Sequence, residues 1–145
     1  MRIVMALIAA MLLSSDAHAQ DNKAIARRYF DEILNKGSMA AIDAIIAPDV
    51  VFRNPPAVIR GIDEFRRVVT GLRAAFPDLH FALEDELGEG GKVATRWVMR
   101  GSNKTLKVDV SGMDIFLIAD GKIREIWVSM DSLAQAKQMG LVPSK

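Results

Sequence analysis

The sequence has no cysteine, and only two histidines and one tyrosine stand among its 145 residues. The missing cysteine excludes disulfide scaffolds, thiolate nucleophiles, and the zinc and iron–sulfur sites that depend on sulfur. The chain also lacks an excess of charge of either sign, because 19 Lys and Arg stand against 18 Asp and Glu. A formal net charge of +1 does not indicate the basic surface that binding to a nucleic acid requires. The length predicts one compact domain.

The amino terminus has the pattern of a secretory signal peptide. One basic residue is followed by an apolar run over residues 3–13 and a small-x-small ending over residues 17–19. The apolar run is too short for a membrane-spanning helix, which needs about 20 such residues. We therefore predict a signal peptide over 1–19 with cleavage after Ala19, and a single domain over 20–145. The protein would be periplasmic or secreted, without stable insertion into the membrane after cleavage.

Cleavage would leave one histidine, His80, in a mature chain of 145 − 19 = 126 residues. Zinc hydrolases and non-haem iron triads use two or three histidine ligands, so we predict no metal site. A Ser-His-Asp triad would have to use His80. Because Leu79 and Phe81 alternate with His80, the pattern favours an exposed or half-exposed strand histidine over a catalytic one.

The spacing of apolar residues predicts helices first and strands afterwards. Three- and four-residue periods indicate helices through 25–34, from Ser38 to Pro48, and at about 62–76. A period of two, with turn residues between, indicates strands at 49–54, 79–87, 92–100, 105–118 and 122–130 before a helix near 132–139. This order predicts an α+β domain, in which helices pack on one face of a curved antiparallel sheet and enclose a cavity.

Asp114 is the most informative polar residue, because it shares a strand face with Val110, Phe116 and Ile118. An ionised carboxylate is costly to bury, so this group must find hydrogen-bond donors or become neutral. A perturbed carboxyl in a pocket is a candidate functional group. A structural hydrogen bond, or a bulge that turns the side chain outward, would explain the pattern equally well.

Three other residues, Tyr29, Asn54 and Asp131, have both a structural and a functional interpretation. Tyr29 lies on the apolar stripe of the first helix, where a buried phenol needs a partner for its hydroxyl. Asn54 ends the first strand, where it either forms a turn or presents its amide to a cavity mouth. Asp131 follows the last strand and is well placed to cap the terminal helix. Trp97 is typical of a core or interface aromatic.

Several short motifs occur in order along the whole predicted domain. They include Asn35-Lys36-Gly37, Ala47-Pro48-Asp49, Asn54-Pro55-Pro56, Phe76-Pro77-Asp78-Leu79, Asp120-Gly121-Lys122-Ile123 and Gln138-Met139-Gly140-Leu141-Val142-Pro143. Together they resemble the SnoaL-like polyketide cyclase and ester cyclase family of the nuclear transport factor 2-like superfamily. The resemblance implies a cone-shaped, cystatin-like α+β barrel with a deep pocket, assembly into a homodimer, and a cofactor-free aldol ring closure.

The resemblance also implies roles for particular residues. It places the acid/base aspartate of the family on Asp131, which would take a proton α to a carbonyl and return one to the oxygen formed on ring closure. Ketosteroid isomerase, more distantly similar, assigns oxyanion stabilisation to Tyr29 and Asp114 and puts its base at Asn54, an amide that cannot act as one. The expected ligand-binding wall comprises Arg53, Asn54, Trp97 and Phe116.

Three hypotheses follow. The first is a secreted, metal-free domain that binds a small apolar carbonyl compound and transfers protons through Asp131, with Tyr29 and Asp114 stabilising the oxyanion. The second is a non-catalytic protein that binds a small molecule in the same pocket. The third is an assembly domain that uses its open sheet face, which predicts a filled cone without a pocket.

Overall fold

The computed structural model describes residues 18–143. Apart from its last two residues, the predicted signal peptide lies outside this range. Within 18–143, no helix combines the length and the apolar character that crossing a bilayer requires.

The helices begin and end close to the positions that the sequence predicts. Residues 18–28 form α1, which continues as a π-helical segment, Tyr29–Leu34; α2 is Met39–Ile45, α3 is Ile62–Ala75 and α4 is Ser132–Gln138. Gly37 follows the π-helical segment with a φ of +67°, a backbone conformation that glycine adopts without strain. The Ser38 hydroxyl then caps α2 by accepting a hydrogen bond from the Ala41 amide at 3.2 Å.

Six strands form one curved sheet. They are β1 (Ile46–Asn54), β2 (Ala57–Arg60), β3 (His80–Glu89), β4 (Lys92–Ser102), β5 (Lys107–Ala119) and β6 (Lys122–Met130), in the spatial order β2-β1-β6-β5-β4-β3. The predicted α+β architecture, with helices on the inner face of the sheet, is confirmed. Not every neighbour is antiparallel, since β1 runs parallel to β6. These two strands are far apart in the chain, which leaves room for the long connection that a parallel pair requires.

The beginning of the sheet departs from the sequence prediction in two ways. Strand β1 starts at Ile46 rather than at residue 49 and runs through Pro48. The pairing with β6 is irregular around Pro48, so the missing N–H of the proline interrupts no regular ladder hydrogen bond. The sequence pattern predicts no strand between Pro56 and the helix near residue 62, whereas β2 pairs with β1 directly after the Pro55-Pro56 turn. Strand β2 has only four residues and lies at the exposed edge of the sheet. Its residues show no alternation of buried and exposed positions from which a strand could be predicted.

The core lies between the sheet and the first three helices, and aromatic rings join the two layers. The ring of Tyr29 meets that of Phe116 at 5.0 Å and that of Phe65 at 6.2 Å. Asn35, just after the π-helical segment, holds the edge strand β3: its side chain donates to the Phe81 carbonyl at 2.9 Å and accepts from the Phe81 amide at 2.7 Å. These contacts fix the helix that carries Tyr29 against the open edge of the sheet.

Candidate functional site

A cavity of about 140 Å³ lies between the inner face of the sheet and the helices. Its apolar wall includes Phe52, Phe65, Val69, Phe81, Met99 and Val128. Five side chains with polar atoms join this wall: Tyr29, Asn54, Trp97, Asp114 and Gln135. An apolar enclosure with a few convergent polar groups is the usual form of a small-molecule site. The third hypothesis predicted a filled cone, and this cavity contradicts it.

The register of β4 and β5 brings Trp97 and Asp114 together on the inner face. Thr95 pairs with Asp114, and Trp97 pairs with Gly112 two residues earlier in β5. Trp97 and Asp114 are therefore diagonal neighbours, a spacing across which a long aromatic side chain can reach. Both are deeply buried, with exposed fractions of 1% and 3%. Asp114 thus points inward, as the strand pattern predicts.

Gly112 provides the space that the Trp97 indole occupies. A Cβ atom at this position would overlap the six-membered ring of Trp97, lying 2.5 Å from its Cη2 atom, and would also approach the Ser129 carbonyl oxygen to 2.9 Å. No ordinary side chain accommodates contacts this close without displacement of its neighbours. The absence of a side chain at Gly112 therefore fixes the place of Trp97 in the cavity wall.

The carboxyl of Asp114 has an unusual electrostatic environment. Burial raises its pKa to about 7, and the nearby indole N–H of Trp97 opposes this rise. The two groups nevertheless make no hydrogen bond of normal geometry. Within residues 18–143, the Asp114 Oδ1 atom and the Trp97 Nε1 atom are both buried without a hydrogen-bond partner. A carboxyl group and an N–H donor in the cavity wall are thus available to a ligand.

Tyr29 is the second titratable group at the cavity. Burial, and then the negative charge of Asp114, raise the pKa of the Tyr29 phenol well above its usual value. The phenol therefore keeps its proton at neutral pH and can act as a hydrogen-bond donor. It stands at the start of the π-helical segment, a wide helical turn that frequently marks functional sites.

Asn54 and Gln135 lie at the mouth of the cavity. Both side chains are half-buried, in contrast to Tyr29, Trp97 and Asp114 at its closed end. Asn54 comes from the end of β1 and Gln135 from α4. Both interpretations of Asn54 have structural support, because it pairs with Ala57 across the Pro55-Pro56 turn and also borders the cavity.

Two of the predicted wall residues do not line the cavity. Phe116 is fully buried one position deeper along the inner face and packs against the rings of Tyr29 and Phe30. Arg53 lies on the outer face of the sheet, where its guanidinium binds Glu125 with an N···O distance of 2.6 Å. Strand geometry explains this position, because adjacent residues such as Arg53 and Asn54 point to opposite faces.

Asp131 does not join Tyr29 and Asp114. Its carboxylate is exposed and caps α4 by accepting a hydrogen bond from the Ala134 amide at 2.8 Å. It borders a shallow depression on the outer face of the sheet rather than the cavity. The structural interpretation of Asp131 as a helix cap is confirmed, and its predicted role in catalysis stays a prediction.

Most of the cavity wall was not predicted from the sequence, and Met99 and Gln135 illustrate the two reasons. Met99 shares the inner face of β4 with Trp97, so strand alternation could have identified it. Gln135 offers no such signal, because α4 is short and the structure buries none of its residues completely. Within 18–143, no group of three or more His, Asp or Glu side chains is arranged to hold a metal ion.

The outer face of the sheet carries an apolar patch, formed by Leu87, Ala94, Met113, Ile115 and Trp127. Four of these residues are cross-strand neighbours in one row, because Leu87 pairs with Ala94, Ala94 with Ile115, and Ile115 with Trp127. Leu87 and Met113 are 69% and 58% exposed. A contiguous patch of this kind on a sheet face is typical of an interaction surface.

Comparisons with known proteins agree with this architecture. The sequence profile of the SnoaL-like polyketide cyclase family matches residues 24–139. A candidate polyketide cyclase from Bacillus cereus has a similar structure, with a TM-score of 0.79, 26% identity, and coverage of 88% of this chain and 86% of that one. No curated protein sequence matches the chain.

Two further solved structures show the same fold. A candidate SnoaL-like polyketide cyclase from a Jannaschia species superposes with a TM-score of 0.77 at 22% identity, over 86% of this chain and 95% of that one. A protein of unknown function from Xanthomonas campestris, described as having a cystatin-like fold, superposes with a TM-score of 0.66 at 24% identity, over 76% and 90% of the two chains. The predicted cystatin-like fold class is therefore confirmed.

Replacing Gly112 by alanine should displace Trp97 and destabilise the protein. The added Cβ atom overlaps the indole ring, and overpacking of this kind costs about 1–3 kcal/mol of unfolding free energy. Gly71→Ala is the matched control, because a Cβ atom there meets nothing within 4 Å and alanine favours the helix. Chemical denaturation of both variants checks this, and equal stability of the two variants would contradict the account of Gly112.

Asp114 should make the protein less stable as the pH rises from about 4 to about 7. The unfolded carboxyl ionises near its usual pKa of 3.8, whereas the folded one keeps its proton to about pH 7. The folded state binds more protons within this window, so its stability falls with rising pH, by on the order of 3–4 kcal/mol in total.

The variant Asp114→Asn isolates this effect from that of the other titratable groups. We expect the variant to lose the decline between pH 4 and 7 and to be more stable than the parent protein at pH 8. Urea denaturation of both proteins at a series of pH values measures the difference. Parallel stability curves would show that Asp114 ionises normally in the folded protein.

Proposed function

Because this chain belongs to the SnoaL-like polyketide cyclase family, we propose that its cavity binds a small apolar carbonyl compound for cofactor-free, cyclase-type or isomerase-type proton transfer. One observation carries the proposal. The Asp114 carboxyl and the Trp97 indole N–H lie buried in an apolar cavity without hydrogen-bond partners. Buried polar groups are rarely left unpaired, so the oxygen of a ligand is their natural complement.

The protonated form of Asp114 suits the binding of a carbonyl oxygen. A neutral carboxyl donates one hydrogen bond, and the phenol of Tyr29, which burial keeps protonated, supplies another. Donors fixed in a water-poor cavity stabilise the negative charge that develops on the oxygen during enolisation. This is the oxyanion role predicted for Tyr29 and Asp114.

The ionised form of Asp114 can take a proton from the ligand. The carboxylate would remove the proton α to the carbonyl, and the electron pair of the broken C–H bond would form an enolate whose oxygen Tyr29 stabilises. The proton then returns to carbon in an isomerisation. In a ring closure, the enolate carbon bonds to a second carbonyl and the new alkoxide takes the proton from Asp114. With a pKa of about 7, both forms of Asp114 are populated near neutral pH.

A non-catalytic binding protein is the second candidate function. Asp131, the predicted base, caps α4 outside the cavity, and Asn54 at the mouth has no basic group. If Asp114 acts only as a hydrogen-bond donor, the cavity would bind a carbonyl compound without transforming it. Catalysis therefore depends on whether Asp114 exchanges its proton with the ligand.

Deuterium exchange into a small ketone distinguishes the two candidate functions. In D₂O near pH 7, the protein should accelerate exchange at the α carbon, and Asp114→Asn should slow it by about 10²–10⁴-fold, the usual contribution of a general base. Asp131→Asn keeps a good helix cap and should leave exchange unchanged. Mass spectrometry of the ketone measures the rate.

Each contrary result has a definite meaning. No acceleration by the parent protein, together with measurable binding of the ketone, would favour the non-catalytic candidate. Loss of exchange in Asp131→Asn alone would identify Asp131 as the base, as the family resemblance implies, and would contradict the role given to Asp114.

We also propose that the protein is exported and forms a homodimer. Support for export comes from the signal pattern over 1–19. Support for the dimer comes from the row of apolar residues across the outer sheet face, which two copies could cover by packing face to face. Such a dimer leaves the cavity, on the opposite face of the sheet, open to the ligand.

Ile115→Lys should convert the dimer into a monomer. The substitution puts a charge at the centre of the apolar row, where packing of two copies would remove it from water. Thr70→Lys, on the exposed surface of α3, adds the same charge elsewhere and should leave the dimer intact. Light scattering after size-exclusion chromatography gives the mass, and a parent protein that remains monomeric at high concentration would refute the dimer.

A further inference from the structure

The cavity is small for a protein whose family profile is that of polyketide cyclases. Its volume is about 140 Å³. Sites for drug-sized ligands span roughly 300–1,000 Å³, whereas an apolar cavity of about 150 Å³ holds benzene. The available space therefore matches a single six-membered ring rather than a fused-ring product.

The side chains that enclose this space leave little freedom to enlarge it. Phe65 and Val69 of α3 close it on the helix side, and both are almost completely buried. On the sheet side the Trp97 indole is held against Gly112, where the ring already fills the space of the missing side chain. Closely packed interiors of this kind resist the insertion of extra atoms.

The polar groups at the closed end determine what the ligand presents there. The Trp97 N–H is a donor only, and a neutral Asp114 carboxyl is a donor as well. Two donors that share one acceptor match a carbonyl oxygen, which has two lone pairs, better than an amine. Among the described residues no Lys or Arg lines the cavity, so none of them could act as a counterion for an anionic head group there.

We propose that the ligand is a compact, uncharged carbonyl compound with room for one ring, roughly six to eight non-hydrogen atoms, whose oxygen lies between the Asp114 carboxyl and the Trp97 indole N–H. This inference rests on the proposed function and names its substrate class. The half-buried mouth, where Asn54 and Gln135 lie, is the direction in which a substituent leaves. A second ring fused next to the carbonyl carbon would lie beside the buried head group rather than at the mouth, so fused-ring ketones of this kind are excluded.

Three uncharged probes distinguish the effect of ligand size on binding from the effect of the carbonyl oxygen. Cyclohexanone has the proposed size and head group, methylenecyclohexane has the same shape without the oxygen, and 1-tetralone adds a fused ring. The indole N–H resonances of ¹⁵N-labelled protein report binding, and the two tryptophans are distinguished by the loss of one resonance in Trp97→Phe. Each probe is titrated into the full mature protein below pH 7.

Cyclohexanone should move the Trp97 N–H resonance downfield, because the carbonyl accepts its hydrogen bond. Methylenecyclohexane should bind about 30-fold more weakly and without that downfield shift, as expected for the loss of both hydrogen bonds. The fused-ring ketone should leave the Trp97 resonance unchanged in the parent protein.

A pair of valine variants tests whether volume sets the limit. Val128 lies in the cavity wall and pairs with Asp114 across β5 and β6, so Val128→Ala enlarges the space beside the carboxyl. Val110→Ala removes the same two methyl groups from a buried strand position outside the cavity wall. Only Val128→Ala should gain binding of 1-tetralone.

The contrary outcomes separate this inference from the proposed function. If 1-tetralone binds the parent protein as tightly as cyclohexanone, the size limit is wrong while carbonyl binding stands. If methylenecyclohexane binds as tightly as cyclohexanone, the head-group assignment is wrong. If none of the carbonyl probes binds the parent protein or Val128→Ala, both the inference and the proposed function fail.

Discussion

The burial of the Asp114 carboxyl in an apolar cavity is the constraint on which the site depends. No cationic side chain of the described residues pairs with it, and its Oδ1 atom has no hydrogen-bond partner there. Ionising such a group is costly, so its pKa rises to about 7 instead of lying near 4. The cost of ionising Asp114 inside the cavity is therefore what brings its pKa into the range where it can exchange a proton at neutral pH.

The rest of the molecule serves to keep this carboxyl buried and facing an open space. Gly112 lets the Trp97 indole lie against β5, and Asn35 fastens the end of the first helix to β3. The aromatic contact between Tyr29 and Phe116 holds the phenol above the same strand. Because these contacts come from separate elements, the cavity exists only when the helices and the sheet are assembled together.

Much of the site could be predicted because strand alternation is a short-range rule. The position of Asp114 among inward-facing residues follows from its neighbours along β5, and the structure places it there. The same alternation along β1 puts Arg53 and Asn54 on opposite faces of the sheet, so both residues cannot line the cavity. Asp131 shows the opposite difficulty, since one aspartate at the start of a helix satisfies both a capping pattern and a catalytic motif, and only the cavity geometry distinguishes them. Gln135 and the volume of the cavity depend on how α4 and α3 pack, which local patterns do not contain.

The central claim is that Asp114 holds a proton near neutral pH because the cavity buries it. The most direct measurement is a titration of its carboxyl carbon by ¹³C NMR, with Asp114→Asn used to assign the resonance. The account predicts a midpoint near pH 7, which a bound ketone moves upward because the protonated form donates to its oxygen. A midpoint near pH 4 that does not respond to ketone would contradict it.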